Sequence, residues 1–213
     1  MRVSTKSIAL LIIPASLIGN WQNEIKKFAP MLKYKTIYNN KEKFDLQKND
    51  GTNLYITTYG MAVRLEELKS VKWDLVILDE AQAIKNPNTK QTKAVKQLKA
   101  NSRIAMTGTP IENSLSDLWS LFDFLNAGLL GTTKEFTQFI KKLKENSTDY
   151  SKLRLVVNPF ILRRLKTDKK VIADLPEKIE TKVYASLSKK QVVLYNGLVK
   201  ELELKLEETE GIE

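Results

Sequence analysis

Leu75-Val-Ile-Leu-Asp79-Glu80-Ala-Gln82 is the stretch on which the fold turns. Four apolar residues in a row read as a strand buried on both faces, as parallel sheets require, and two adjacent carboxylates stand where it ends. In open parallel sheets, ligands bind beyond the carboxyl ends of the strands. An Asp at that position can hold the water shell of Mg²⁺, which takes few carboxylates and completes its shell with phosphate oxygens and water. The neighbouring Glu can orient or deprotonate an attacking water. Two solvated carboxylates in a loop would give the same octet, so the rest of the chain has to distinguish the two.

Working outward, short apolar runs alternate with helical patterns. Strands are expected at 7–13, 35–38, 53–58, 74–79 and 103–107, with a late one at 181–187. Between them, Leu17, Trp21, Ile25 and Phe28 recur at helical spacing behind Ser16, a suitable N-cap. Asn88 is the expected cap of a helix carrying Ala94, Val95 and Leu98. Ser114 is the expected cap of one with Leu115, Leu118, Trp119, Phe122 and Leu125 on one face. This alternation predicts an α/β fold with a parallel sheet flanked by helices. From about 132 to 180 helical segments follow one another without a strand, which reads as a helical insertion, and Ser188 opens a long charged helix. The division expected is 1–131, 132–180 and 181–213.

Composition narrows the chemistry. The 213 residues contain no Cys and no His, which excludes disulfides, thiolate or imidazole metal sites and a Ser-His-Asp triad. Acid–base work falls to Asp, Glu, Lys or Tyr. Lys and Arg number 35 against 25 Asp and Glu, a net +10, and the segment from Ser188 carries four Lys and six Glu, so the excess lies before it. Such an excess favours a polyanionic partner, although many basic proteins bind none. Met1, Arg2 and Lys6 before the apolar run 8–13 look like a signal peptide, but the run meets Pro14 too early for one. No segment is long enough to span a membrane. The chain reads as cytosolic.

Other candidates are weak singly. Thr107-Gly-Thr-Pro110 puts two hydroxyls and a flexible Gly at a strand end, able to relay hydrogen bonds between loops or simply to turn the chain. Pro14-Ala-Ser16 opens a helix whose free amides suit a phosphate, or is only a helix start. Thr57-Thr58-Tyr59 offers hydroxyls at another strand end. Lys90, Lys93, Lys96 and Lys99 are expected three apart on one helix, forming a curved basic stripe, and a solvated face is its simpler meaning. Trp21 and Trp119 lie on apolar faces and read as core.

Together, five segments resemble the Swi–Snf-like ATPases of helicase superfamily two, in order and approximate spacing. They are Pro14-Ala-Ser-Leu-Ile-Gly-Asn20-Trp21 with Lys27-Phe-Ala-Pro30; Thr57-Thr-Tyr59; Asp79-Glu-Ala-Gln82 running into Ile84-Lys85-Asn86-Pro87; Thr107-Gly-Thr-Pro110 with Glu112-Asn113 and Leu118-Trp119; and Pro159-Phe-Ile-Leu-Arg163-Arg164 with Asp174-Leu-Pro176. Gln191 and Tyr195 also resemble the family's helix after the late strand. The resemblance implies a RecA-like first lobe of the P-loop NTPase type, its first elements missing, with a helical protrusion. It implies a motor that uses ATP and Mg²⁺ to move on double-stranded DNA and remodel DNA-bound proteins. By position, Asp79 and Glu80 resemble the Walker B pair, with Asp79 toward Mg²⁺ and Glu80 nearby, and Gln82 sits where many relatives carry His. Thr107, Gly108 and Thr109 look like the loop coupling nucleotide to DNA. Ser16, Asn20, Thr57, Thr58, Lys85 and Asn86 look like residues near the DNA track, and Arg163 and Arg164 match the protrusion segment.

One departure stands out. The family's phosphate loop ends in Gly-Lys-Thr ahead of the first strand, yet only six residues precede Ser7, and no Gly-Lys-Ser/Thr occurs in the sequence. Ser4-Thr-Lys-Ser7 lacks the glycines that let amides cradle phosphate. The arginine finger of a second lobe is also absent. The expectation is that this polypeptide alone does not hydrolyse ATP. Alternatives are a non-enzymatic DNA- or protein-binding module, or a metal-dependent nuclease or phosphatase, for which 104–110 supplies no further carboxylate.

Overall fold

Five strands pair side by side, every pairing parallel, in the order β2-β3-β1-β4-β5. The strands are β1 (Ala9–Ile13), β2 (Tyr34–Ile37), β3 (Leu54–Thr58), β4 (Lys72–Leu78) and β5 (Lys99–Ala105). The computed structural model describes residues 7–38, 51–108, 115–146, 150–164, 181 and 186–210. The expected parallel α/β sheet is therefore present. β5 begins earlier than 103, because a polar edge strand carries no apolar run to announce it.

Strand alternation divides the core between two faces. Leu11, Ile13, Leu54 and Ile56 point to one side and pack with Ile25 and Trp21 of α1 (Ile18–Phe28). Leu10, Ile12, Tyr55, Val76 and Leu78 point to the other. There they meet α2 (Tyr59–Arg64), α3 (Glu67–Ser70), α4 (Lys90–Lys96) and α5 (Leu115–Leu125) through Tyr59, Ala62, Leu68, Val95, Leu121 and Phe124. Leu10 to Ile13 are at most 1% exposed, as a central strand covered on both sides must be. Asp74 ties the strand beginnings together: its carboxylate accepts from the Ile8 amide (2.9 Å) and from Asn101 Nδ2 (3.2 Å).

Several local expectations need correction. Ser16 does not cap α1; it lies exposed in a 3₁₀ turn, Ala15–Leu17, that leads into the helix without a side-chain cap. Phe28 ends the helix 68% exposed rather than in the core. Thr89, not Asn88, caps α4: its backbone is extended and its hydroxyl accepts from the Thr92 amide (3.2 Å), while the Asn88 amide is used in a turn by Asn86 Oδ1 (2.9 Å). The lysine stripe does not exist, since Lys99 belongs to β5 and Lys96 is drawn onto Asp123 (2.7 Å) and the Trp119 ring (4.8 Å). Ser114 lies outside the described residues. Trp119 is buried as expected and donates to the Gly131 carbonyl (3.0 Å).

The chain gathers into two compact units, Met1–Leu153 and Arg154–Glu213. Beyond the sheet, the first holds α6 (Thr133–Asn146), closed by a reciprocal cap between Thr132 and Glu135. α7 (Ser151–Val157) runs across the division and leads into a 3₁₀ turn, Asn158–Phe160, after which Arg163 and Arg164 are exposed. In the second unit, Ser188 and Gln191 form the capping box of α8 (Lys189–Glu210). Of the expected late strand, 182–185 lie outside the described residues, and Thr181, Ser186 and Leu187 are in no strand. The Asp174-Leu-Pro176 and Glu112-Asn113 segments also lie outside them. Among the described residues no helix is long and apolar enough to cross a membrane.

Candidate active site

β4 delivers the acidic pair to the carboxyl rim of the sheet. The Asp79 amide donates to the carbonyl of Ile12 (2.9 Å), so the pair emerges beside the end of central strand β1. The Asp79 carboxylate is held at both oxygens. Oδ1 accepts from the Glu80 amide (2.9 Å) and Oδ2 accepts from the indole Nε1 of Trp21 (2.7 Å). A carboxylate has about four acceptor positions, so roughly half remain for a cation or its waters. Neither side chain stands free in a solvated loop, since Glu80 Oε2 also accepts from Gln82 Nε2.

Glu80 has φ 50° and ψ 52°, the left-handed region, and no other non-glycine among the described residues has a positive φ. A long side chain gains nothing there, and such a conformation costs about 1–3 kcal/mol. Flanking bonds enforce it. The Asp79 carbonyl accepts from the Tyr59 hydroxyl (2.8 Å), and the Ala81 amide donates to Met106 (2.9 Å). Tyr59 opens α2, whose first turn is capped by Thr58. Burial first, then the negative charges of Asp79 and Glu80, push the Tyr59 phenol well above its ordinary range, so it remains a neutral donor.

The side chains continue the chain of contacts. Gln82 Nε2 donates to Glu80 Oε2 (2.7 Å), and Thr107 Oγ1 donates to Gln82 Oε1 (2.9 Å). One amide thus joins the acidic pair to the loop after β5. Asp79, Glu80, Gln82 and Thr107 come together; Gly108 follows, exposed, and Thr109 lies outside the described residues.

The residues expected near a DNA track are not all at a surface. Ser16 and Asn20 are exposed at the start of α1, Lys85 is half-buried and Asn86 exposed just past the acidic pair. Thr57 and Thr58 must be withdrawn as surface hydroxyls. Thr57 is fully buried and donates to the Ile37 carbonyl (3.0 Å), and Thr58 is spent on the cap. Sequence reasoning missed the contacts of Trp21 and Tyr59 with Asp79. The available signal was chemical: a half-buried indole N–H or phenol O–H needs a partner.

Two further observations limit the site. A cavity of about 470 Å³ lies between α1 and the strand beginnings, lined by Ile8, Leu11, Ile25, Leu54 and Leu75. It is apolar and excludes the acidic pair, so it is not the reaction site. Among the described residues no group of three or more His, Cys, Asp or Glu could hold a metal ion. A cation at Asp79 therefore fits only if phosphate oxygens and water complete its shell, which is how Mg²⁺ is commonly bound.

The chain matches the SNF2-related domain over residues 2–212. It is 40% identical over 203 residues to the putative ATP-dependent helicase/translocase YwqA of Bacillus subtilis (strain 168), covering 92% of this chain and 22% of that protein. It is 37% identical over 226 residues to the TATA-binding protein-associated factor mot1 of Schizosaccharomyces pombe (strain 972), covering 95% of this chain and 11% of that one. Among solved structures, the Sulfolobus solfataricus SWI2/SNF2 ATPase core in complex with dsDNA superposes with a TM-score of 0.73 at 42% identity, over 96% of this chain and 44% of that chain. The fold is thus that of a RecA-like α/β lobe. The chain belongs to the SNF2-related family, and spans less than a quarter of the length of either curated relative.

Proposed function

We propose that this chain is part of the first motor lobe of a DNA-stimulated ATPase that moves along double-stranded DNA and remodels the proteins bound to it. The observation that carries this reading is the acidic pair pinned at the sheet rim and joined through Gln82 to Thr107. The names of the relatives, an ATP-dependent helicase/translocase and a core bound to dsDNA, support the substrate and the track. MgATP supplies the divalent charge and the phosphoryl group to be transferred. Asp79 turns its remaining acceptor positions toward the cation's shell. Glu80 orients the attacking water and accepts its proton. Gln82 does not titrate, so its part is to transmit: it bonds Glu80 and Thr107 at once, so a shift in either loop is felt in the other. In this reading Ser16, Asn20, Lys85 and Asn86 meet phosphates of the duplex, a contact that carries no base sequence.

The sequence holds no Gly-Lys-Ser/Thr triplet. The phosphate-binding loop is accordingly assigned to another part of the complete polypeptide, and this chain alone is inactive. The test is phosphate release with and without duplex DNA, from the purified chain and from the product of the whole reading frame. Duplex-stimulated release is expected only from the latter, with a loss of about 10²-fold or more in Asp79→Asn or Glu80→Gln. Duplex binding without turnover by the complete protein would instead favour a non-enzymatic module.

A further inference from the structure

We propose that Trp21 is a positioning residue for Asp79, setting the direction in which its carboxylate meets the cation. This inference rests on the ATPase reading above and extends it to a residue whose spacing suggested only packing.

The Asp79 side chain has two torsions to fix. The Glu80 amide constrains Oδ1 from the backbone side, but a single donor leaves the group free to swing about that contact. The second donor is the Trp21 indole, 2.7 Å from Oδ2 and from an element 58 residues away in sequence. An N–H donor at this distance to a charged oxygen is at the short, strong end of its range. The indole is itself well held: Trp21 is half-buried on α1 and packs into the apolar cluster of Leu11, Ile13, Ile25, Leu54 and Ile56. The carboxylate is thus locked between a backbone amide and a rigid aromatic group, with its unused acceptor positions preset. Partners of metal ligands act in this way, and their loss commonly costs about 10–100-fold in metal affinity or activity. Trp21 also follows directly on exposed Asn20. Any tilt of α1 on contact with a polyanion would reach Asp79 through this bond.

Two measurements test the proposal. The chain has three tryptophans, so its indole N–H resonances are few, and Trp21→Phe identifies the one in question. In the folded chain, Asp79→Asn should move that resonance upfield, while those of Trp73 and Trp119, which donate to the Leu68 and Gly131 carbonyls, stay in place. In the complete polypeptide, Trp21→Phe should raise the Mg²⁺ concentration for half-maximal ATPase about tenfold or more, measured at a temperature well below the variant's own melting point. An unmoved Trp21 resonance in folded Asp79→Asn, or an unchanged Mg²⁺ requirement in Trp21→Phe, overturns the positioning role and leaves the ATPase reading standing. Absence of duplex-stimulated turnover in the wild-type complete polypeptide overturns the ATPase reading and this role with it, even where the indole resonance responds to Asp79.

Discussion

At the scale of single residues, the left-handed Glu80 separates chemistry from backbone preference. Glu80→Ala and Glu80→Gly both remove the carboxylate, but only glycine, which lacks a Cβ, adopts this conformation without a clash. The glycine variant is expected to be the more stable of the two by about 1 kcal/mol, a difference of a few degrees in melting temperature that calorimetry resolves. Tyr59 sets a pH dependence. Its phenol is held protonated in the folded chain above the ordinary tyrosine value of about 10. The unfolded chain releases that proton first, so the stability Tyr59 contributes is complete below about pH 10 and is lost as the pH rises toward the folded value. In denaturant melts, Tyr59→Phe should decline less steeply than the wild type in that alkaline window. The positions of the acidic pair, Gln82 and Thr107 were legible in sequence because they follow strand ends, which apolar runs reveal. Thr57 misled because a hydroxyl beside a strand end serves a buried carbonyl as readily as a ligand. The Trp21–Asp79 contact was hidden because it joins elements far apart in sequence.

At the scale of elements, α5 and the turn behind the acidic pair are fastened by one buried bond. Ser120, fully buried, donates to the Ile84 carbonyl at 2.6 Å. Ser120→Ala leaves that carbonyl without this partner and is expected to cost about 1–3 kcal/mol in chemical denaturation. Ser120→Cys, which keeps only a weak donor, should fall between the two. Strands β1, β3 and β4 were legible because burial on both faces gives each an unbroken apolar run, at 10–13, 54–56 and 75–78. β5 was only half legible, since Lys99-Ala-Asn-Ser-Arg103 at the sheet edge carries polar side chains. The caps were less legible still. Ser16 and Asn88 have the right side chains, but a cap depends on the extended backbone that Thr89 has, and composition does not report it.

At the scale of the molecule, an excess of ten positive charges makes duplex binding an ionic-strength measurement. If contacts are to phosphates, affinity should fall about tenfold or more between roughly 50 and 200 mM salt and be insensitive to duplex sequence. A flat salt response would contradict a backbone-tracking surface. The sheet order has a consequence of another kind. β1 lies between β3 and β4, with Ala9 registered against Leu54 on one side and Leu75 on the other. Both neighbours leave the ribosome after it. The most apolar strand of the sheet therefore spends several seconds of synthesis with neither edge satisfied. The nascent protein is most vulnerable to aggregation in that interval, and a chaperone that shields newly made β1 should act on it before β4 emerges.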